Sequence, residues 1–291
     1  MEPSPAALQI IADLLTMHTG QELTEGRRWR VGSALAGLFR EHGISNVDQL
    51  VCLLDQQPGG QSNPTLTRQV IEALLNNETY FFRDKPTFDQ LPDAILPELA
   101  CRRAGTRRLS IWSAGCSTGQ EVYSLAMLFA EQRERWEGWT IDILGTDISH
   151  RAIAAARTGR YSQFEIQRGL SVARMLDHFD EAGGGWHVRD HLRALTRFEQ
   201  HNILDHAPGR RVFDLILCRN VLLYFNQQTR AFTFNRLAET LAPDGFLMLG
   251  AGETVAGQTD RFAPASQRIG LFEPHRLRPQ PALSRATGTA V

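Results

Sequence analysis

The sequence has no large excess of charge of either sign. Its 31 lysine and arginine residues are balanced by 32 aspartate and glutamate residues, which gives a formal charge of −1. A chain without net positive charge has no long-range field that attracts nucleic acid. We therefore expect no nucleic-acid partner.

Long hydrophobic runs are also missing. No apolar stretch approaches the length that a bilayer requires, and the first residues, MEPSPAALQI, lack the basic-then-apolar order of a signal peptide. These features predict a cytoplasmic protein that does not insert into a membrane.

Cysteine and histidine are too scattered to suggest a disulfide framework or a metal site. The four cysteines form no Cys-x-x-Cys pair, and the nine histidines show no His-Glu-x-x-His or similar spacing. This pattern is typical of reduced thiols in the cytoplasm. We expect no bound metal.

The first 75 residues predict an N-terminal domain built only from helices. Apolar residues recur at helical spacing, as in the run Leu8, Ile11, Leu14 and Leu15, and four such runs are separated by turn residues, the last break lying at 58–64. We expect a bundle of four helices over residues 1–75.

Strand and helix patterns alternate in residues 76–275. Short apolar strands are predicted at 109–114, 139–145, 212–218 and 246–250, with amphipathic helices between them. This alternation favours an α/β fold with a parallel sheet covered by helices. A small antiparallel insertion is predicted near 183–199, and residues 276–291 have the composition of a disordered tail.

The most informative stretch is the loop Gly115-Cys-Ser-Thr-Gly119, which follows the first predicted strand. Glycines allow a sharp turn and close approach to a ligand, and the next helix offers free N–H groups. The same letters satisfy Gly-x-Ser-x-Gly, the nucleophile elbow of the α/β-hydrolases, with Ser117 as nucleophile. The loop alone favours neither interpretation.

Asp147 separates the two interpretations. It ends the second predicted strand, where a carboxylate can accept the hydroxyls of a ribose held over the glycine loop. A hydrolase needs no acid there, but it needs a histidine after a late strand, and only His275 lies beyond the last sheet signals. The nucleotide-binding interpretation is favoured, with helix capping as the alternative role of Asp147.

Three separated motifs resemble the chemotaxis receptor methyltransferases, the CheR family. The motifs are Asn77-Glu-Thr-Tyr-Phe-Phe-Arg83, the stretch from Trp112 to Met127, and Phe213-Asp-Leu-Ile-Leu-Cys-Arg-Asn-Val-Leu-Leu-Tyr-Phe225. The resemblance implies a Rossmann-like class I methyltransferase sheet with helices on both faces. It also implies S-adenosylmethionine as methyl donor, S-adenosylhomocysteine as product, and the methylation of glutamate side chains on the cytoplasmic domain of bacterial chemoreceptors.

The resemblance also implies a set of site residues. Arg83 and Tyr224 are the candidates for acting at the reacting centre. Cofactor contacts are implied for Asn77, Thr79, Arg83, Gly115, Glu121, Asp147, Asn202, Ile203, Arg219 and Asn220. Alone, Asn202 also fits a turn residue. A structural salt bridge is the alternative role of Arg83, although a purely structural arginine has little reason to lie in a matched motif. The small insertion resembles the family's subdomain that docks a receptor tail peptide in some members.

Two departures from the family pattern affect these expectations. Gln120 and Val122 replace the usual residues on either side of Glu121. The second predicted helix has a basic start, residues 27–30, but an apolar middle of small residues. In the family this helix is often strongly basic and is thought to meet the receptor. Two alternatives stay open, a methyltransferase acting on another protein or a small carboxylic acid, and a cofactor-binding regulatory module without turnover.

Overall fold

The computed structural model describes residues 3–55, 63–210, 212–266 and 268–275. The predicted tail at 276–291 and most of the turn at 58–64 lie outside these ranges. None of the helices in the described ranges is long and apolar enough to cross a membrane.

The N-terminal part of the chain is helical, as predicted. Its helices are α1 (Pro5–Thr19), α2 (Glu25–Arg28), α3 (Val31–Ala34), α4 (Ala36–His42), α5 (Val47–Asp55) and α6 (Pro64–Leu74). Helix α1 begins after Ser4, whose hydroxyl accepts the N–H of Ala7, and ends at Gly20, which has a positive φ of 73°. These helices enclose a core of their own, which includes Ile11, Leu35 and Val70.

The prediction of four helices is wrong, because the second predicted helix is not continuous. The structure divides it into three short helices, α2 to α4. Residues 26–37 contain three glycines, Gly26, Gly32 and Gly37. Each glycine in a helix interior costs about 1 kcal/mol relative to alanine, so a single continuous helix is poorly favoured here.

From residue 76 onward, the described part of the chain forms two sheets and eight further α-helices. The strands are β1 (Arg108–Ala114), β2 (Thr140–Asp147), β3 (Arg160–Tyr161), β4 (Phe179–Ala182), β5 (Gly185–Val188), β6 (Thr196–Gln200), β7 (Phe213–Cys218), β8 (Leu241–Leu249), β9 (Phe262–Pro264) and β10 (Leu271–Pro274). The helices are α7 (Lys85–Phe88), α8 (Leu96–Arg102), α9 (Gln120–Glu131), α10 (His150–Thr158), α11 (Gln163–Gln167), α12 (Val172–His178), α13 (Asp190–Arg193) and α14 (Gln227–Thr240). A π-helical turn, Leu91–Ile95, precedes α8.

The main sheet has seven strands in the order β6-β2-β1-β7-β8-β10-β9. Strands β2, β1, β7 and β8 are parallel, as predicted, with Ile111 opposite Ile143 on one side and Leu215 on the other. Strand β6 is parallel as well, which was not predicted. Strands β10 and β9 are antiparallel to their neighbours and were not predicted. The sheet is therefore mixed.

Both faces of the main sheet are covered. In β1, Leu109 and Ile111 belong to one hydrophobic cluster, while Trp112 and Ala114 belong to a second. Helix α9 contributes to the first cluster and α14 to the second. This arrangement confirms the predicted Rossmann-like sheet with helices on both faces.

The small antiparallel sheet is present, but its predicted bounds are wrong. It has three strands in the order β3-β5-β4, so it begins at Arg160 rather than near Gly183. The prediction extended it to residue 199, but Thr196–Gln200 form strand β6 at the edge of the main sheet. Strand β3 is only two residues long, which is too short to show an alternating pattern.

The helical part lies against the edge of the sheet where the parallel strands end. Gln21 forms a single β-bridge with Phe225. Glu72 on α6 accepts the Ser149 hydroxyl and the His150 N–H, each at 2.6 Å, at the start of α10. These contacts close one side of a cavity. The domain division at residue 75 stays a prediction.

Candidate active site

A single cavity contains every predicted site residue. It lies at the carboxyl ends of β1, β2, β6 and β7, where ligands bind in open α/β sheets. The predicted residues that line it are Asn77, Thr79, Arg83, Gly115, Glu121, Asp147, Asn202, Ile203, Arg219, Asn220 and Tyr224. The structure thus brings them together, while their individual roles stay predictions.

The glycine loop forms the floor of this cavity. Gly115 has a φ of 83°, and a Cβ there would collide with the side chain of Val221. The N–H groups of Gly115 and Cys116 both donate to the Thr146 carbonyl at 2.8 Å, which joins the loop to the end of β2. Only glycine fits this combination of conformation and close packing.

Ser117 is not set up as a nucleophile. Its side chain is buried, and its hydroxyl donates to the main-chain oxygen of Asn77 at 2.7 Å rather than to a histidine. A hydrolase requires a base at that hydroxyl. The contact instead ties the glycine loop to the segment that precedes Arg83, which agrees with the rejection of the hydrolase interpretation.

Asp147 links the end of β2 to the glycine loop. Its carboxylate oxygens accept the N–H groups of Ser117 and Ser149, both at 2.8 Å. Burial raises the pKa of Asp147, and these N–H groups act in the opposite direction. The N-cap of α10 is Ser149, which accepts the N–H of Ala152. Asp147 is therefore not the capping residue, and it lines the cavity.

A buried ion network supports the opposite wall. The Arg219 side chain is 1% exposed and donates to Glu121 at 2.8 Å and to Asp84 at 3.0 Å. It also donates to the Arg83 carbonyl at 2.6 Å, and the second Glu121 oxygen accepts the Ser113 hydroxyl. A buried guanidinium needs such partners because desolvation is costly. The network fixes Glu121 and Arg219 beside the glycine loop.

Backbone strain is concentrated at this cavity. Among the described non-glycine residues, those with positive φ are Phe82, Asp84, Arg107, Ser117 and Asn220. Ser117 and Asn220 line the cavity, and Phe82 and Asp84 flank Arg83. Such conformations cost of order 1 kcal/mol or more and cluster at functional sites.

Four buried polar atoms around the cavity have no hydrogen-bond partner within the described part of the chain. They are Gln21 Oε1, His201 Nε2, Arg219 Nε and Asn220 Oδ1. An unpaired buried polar atom costs about 1–3 kcal/mol, so their gathering at one cavity points to a polar ligand. A donor on Arg219 beside an acceptor on Asn220 matches the carboxylate and ammonium groups of an amino acid.

Gln21 and His201 were not predicted as site residues. Burial lowers the pKa of His201, which favours a neutral ring with one donor and one acceptor nitrogen. His201 directly precedes the predicted Asn202, so its position was a usable signal. Gln21 follows α1 and joins the cavity only because the helical domain packs there, which the local sequence does not reveal.

Asn202 is occupied by structural contacts. Its amide nitrogen donates to the His18 carbonyl at 3.1 Å, and its oxygen accepts the N–H of Leu204 at 3.1 Å. The turn alternative therefore describes its side chain well. A ligand beside Asn202 would therefore contact mainly its main-chain atoms.

The two residues predicted at the reacting centre lie on the same cavity lining. The Tyr224 hydroxyl accepts from the Asn76 amide at 2.7 Å, and the Arg27 guanidinium lies 4.8 Å from the centre of the Tyr224 ring. Arg83 donates to the Glu78 carbonyl at 2.8 Å and makes no salt bridge within the described ranges. The salt-bridge alternative for Arg83 is thus not supported.

Comparisons with known proteins show the family to which the chain belongs. The family model "CheR methyltransferase, SAM binding domain" matches residues 77–271. The chemotaxis protein methyltransferase Cher2 of Pseudomonas putida is 36% identical, over 82% of this chain and 87% of its own length. The chemotaxis protein methyltransferase 1 of Pseudomonas aeruginosa is 35% identical, over 90% of this chain and 95% of its own length.

The similarity to solved structures is low. A SAM-dependent methyltransferase from Methanosarcina mazei is 18% identical with a TM-score of 0.30, over 48% of this chain and 50% of that chain. The family assignment rests on the sequence matches alone. The chain belongs to the CheR family of S-adenosylmethionine-dependent chemotaxis protein methyltransferases.

Proposed function

We propose that this chain transfers a methyl group from S-adenosylmethionine to glutamate side-chain carboxylates on the cytoplasmic domain of chemoreceptors, as part of chemotactic adaptation. The observation that carries the proposal is the cavity itself. It combines the family's motif residues with four unpaired buried polar atoms at the carboxyl ends of the strands. The names of the relatives support a chemotaxis substrate.

The cavity residues fit the polar groups of this cofactor. Arg219 Nε and Asn220 Oδ1 would hold the amino-acid end, and Asp147 would accept the ribose hydroxyls. The loop at His201–Ile203 would line the adenine. Asn77, Thr79 and Glu121 complete the proposed lining.

The bound cofactor supplies a methyl group on a positively charged sulfur. A glutamate side chain has a reference pKa near 4.3, so it is already an anion at neutral pH and needs no general base. One carboxylate oxygen forms a bond to the methyl carbon while the carbon–sulfur bond breaks, and its electron pair stays on sulfur. The products are a methyl ester and a neutral thioether, and no proton moves.

The protein's task is therefore to position the acceptor and to exclude water. We propose that Arg83 orients the carboxylate through charge-assisted hydrogen bonds. Tyr224 would donate its hydroxyl proton to the oxygen that does not attack, because its hydroxyl only accepts in the contact with Asn76. Opposite charges cancel in this reaction, so a dry site favours the transition state over solvated ions.

The small sheet is the proposed contact for a receptor tail peptide. Strand β4 is an edge strand, and three of its four residues are exposed. An extended peptide can add to such an edge through main-chain hydrogen bonds. A receptor fragment with its tail should then bind more tightly than the same fragment without it, and equal affinity would remove this part of the proposal.

The test of the main proposal is methyl transfer to defined receptor fragments. The purified chain is incubated with labelled S-adenosylmethionine and a receptor cytoplasmic fragment whose methylation sites are either glutamate or glutamine. We expect label only in the glutamate form, released as methanol by base, as for an ester. Label in the glutamine form, or label stable to base, would contradict glutamate O-methylation.

A further inference from the structure

The mouth of the cavity carries a carboxylate held by an arginine from the small-sheet region. Glu78 lines the cavity, and its carboxylate accepts from Arg168 at 2.7 Å. Arg168 directly follows α11, in the connection between β3 and β4. Neither Arg168 nor Glu78 is among the predicted site residues.

A second arginine converges on the same place. The Arg168 guanidinium lies 4.4 Å from the centre of the Tyr80 ring, and the Arg83 guanidinium lies 5.7 Å from it. Arg83 also donates to the main-chain oxygen of Glu78. Two planar cations beside an aromatic ring form a surface suited to a carboxylate.

The local charge favours an anion at this position. Arg168 lowers the pKa of Glu78 through a hydrogen bond and its charge, and Arg83 and Arg30 lower it further. Glu78 is therefore ionised at neutral pH. The chain as a whole has a formal charge of only −1, so this positive region is a local feature rather than a general one.

Arg168 is held in place by its neighbour and not only by Glu78. Gly169 has a φ of 94°, and a Cβ there would overlap the main-chain oxygen of Phe81. The chain at 168–169 therefore packs directly on the segment that carries Glu78, Tyr80 and Arg83. We expect Arg168 to keep its position when its partner carboxylate is removed.

The ion pair between Arg168 and Glu78 is also weak. The side chains of Arg168 and Glu78 are 40% and 56% exposed, and exposed ion pairs of this kind contribute little to stability. A second carboxylate can therefore replace Glu78 at small cost.

We propose that Arg168, together with Arg83, forms the subsite for the methyl-accepting carboxylate, and that Glu78 occupies this subsite until the acceptor displaces it. The inference rests on the proposed function and deepens it, because it names the residues that select an anionic side chain. Arg168 is then a specificity-determining residue, and Glu78 is an internal competitor of the substrate.

The test uses the four tyrosines of the chain as reporters. The full chain is labelled with fluorotyrosine, saturated with S-adenosylhomocysteine and titrated with N-acetyl-glutamate α-amide, which presents a single glutamate side chain. The fluorine signal of Tyr80 is assigned with Tyr80→Phe. N-acetyl-glutamine α-amide is the control ligand, and the buried Tyr123 and Tyr161 serve as internal references.

Each variant has a defined expected result. Glu78→Gln removes the competitor and should tighten binding of the glutamate probe by up to about fivefold. Arg168→Gln should weaken binding by about threefold to fivefold, because an exposed charge-assisted contact is lost. Arg189→Gln is the matched control, because Arg189 is 39% exposed and also pairs with a carboxylate, that of Asp180. It should bind the probe as the wild type does.

The opposite outcomes would overturn the subsite. One is a Tyr80 signal that does not move in Glu78→Gln at any soluble concentration of the probe, and the other is unchanged affinity in both variants. The result is separable from the proposed function, since no turnover is measured. A chain that shows this titration but esterifies no receptor fragment would refute the function and keep the carboxylate subsite.

Discussion

Glu253 offers a sharp test of how the cavity wall is held. Its carboxylate accepts five main-chain N–H groups, with Oε2 bound to Asn220 and Gly250 at 2.7 and 2.9 Å. Oε1 is bound to Leu222, Val221 and Leu223 at 2.8, 3.1 and 3.3 Å. One side chain thus fixes the turn between β7 and Tyr224, including the strained Asn220.

The substitution Glu253→Gln keeps the size of the side chain but leaves only one acceptor oxygen. Whichever way the amide turns, at least two N–H groups face an NH₂ group. An unpaired N–H costs about 1–3 kcal/mol when fully buried, and these groups are only partly buried, so a loss of about 2–4 kcal/mol is expected around the turn. Part of this loss should appear in the free energy of unfolding and part in cofactor affinity.

The assay is calorimetric titration with S-adenosylhomocysteine, combined with denaturant unfolding. We expect the affinity of Glu253→Gln to fall by about tenfold or more, because 1.4 kcal/mol corresponds to a factor of ten. Glu239→Gln is the control, since Glu239 is 55% exposed and pairs with Arg236 at 3.5 Å. A Glu253→Gln protein with wild-type affinity and wild-type stability would refute the proposed role of the carboxylate.

Three further predictions follow from the same structure. Asp147→Ala should weaken S-adenosylhomocysteine binding by about tenfold or more, since charged hydrogen-bond partners are lost, and unchanged affinity in calorimetry would remove its ribose assignment. Tyr224→Phe should lower kcat in the methyl-transfer assay with little change in cofactor affinity, and a large loss of affinity would make Tyr224 a binding residue instead. Burial alone would raise the pKa of Glu131, but His178 and Arg174 lower it to about 2. The stability that Glu131 contributes should be present above its unfolded pKa near 4.3 and lost as the pH falls toward 2. Glu131→Gln should therefore flatten the pH dependence of unfolding in that range, and an unchanged profile would argue against the ion pair.

Much of the main sheet was predictable because its strands are buried on both faces. Each predicted parallel strand, such as 109–114 or 212–218, begins or ends close to its observed bounds. A continuous apolar run between turn residues is a strong local signal. The glycine loop and the N-cap position of Ser149 in α10 were likewise predictable from the sequence.

Other features depend on contacts distant in sequence. Glu253 lies 30 or more residues from the turn that it binds, and Gln21 reaches the cavity only through the packing of the helical domain. The short strands β3 and β9 have too few residues for a pattern. The three glycines in the second predicted helix indicated that it would be interrupted. Their unfavourable helix propensity outweighed the helical spacing of its apolar residues.

The central claim is that the cavity binds the cofactor, and titration of the purified wild-type chain with S-adenosylhomocysteine tests it most directly. The account predicts saturable binding at about one ligand per chain. A folded protein that carries no ligand and gives no heat at several temperatures would contradict the account.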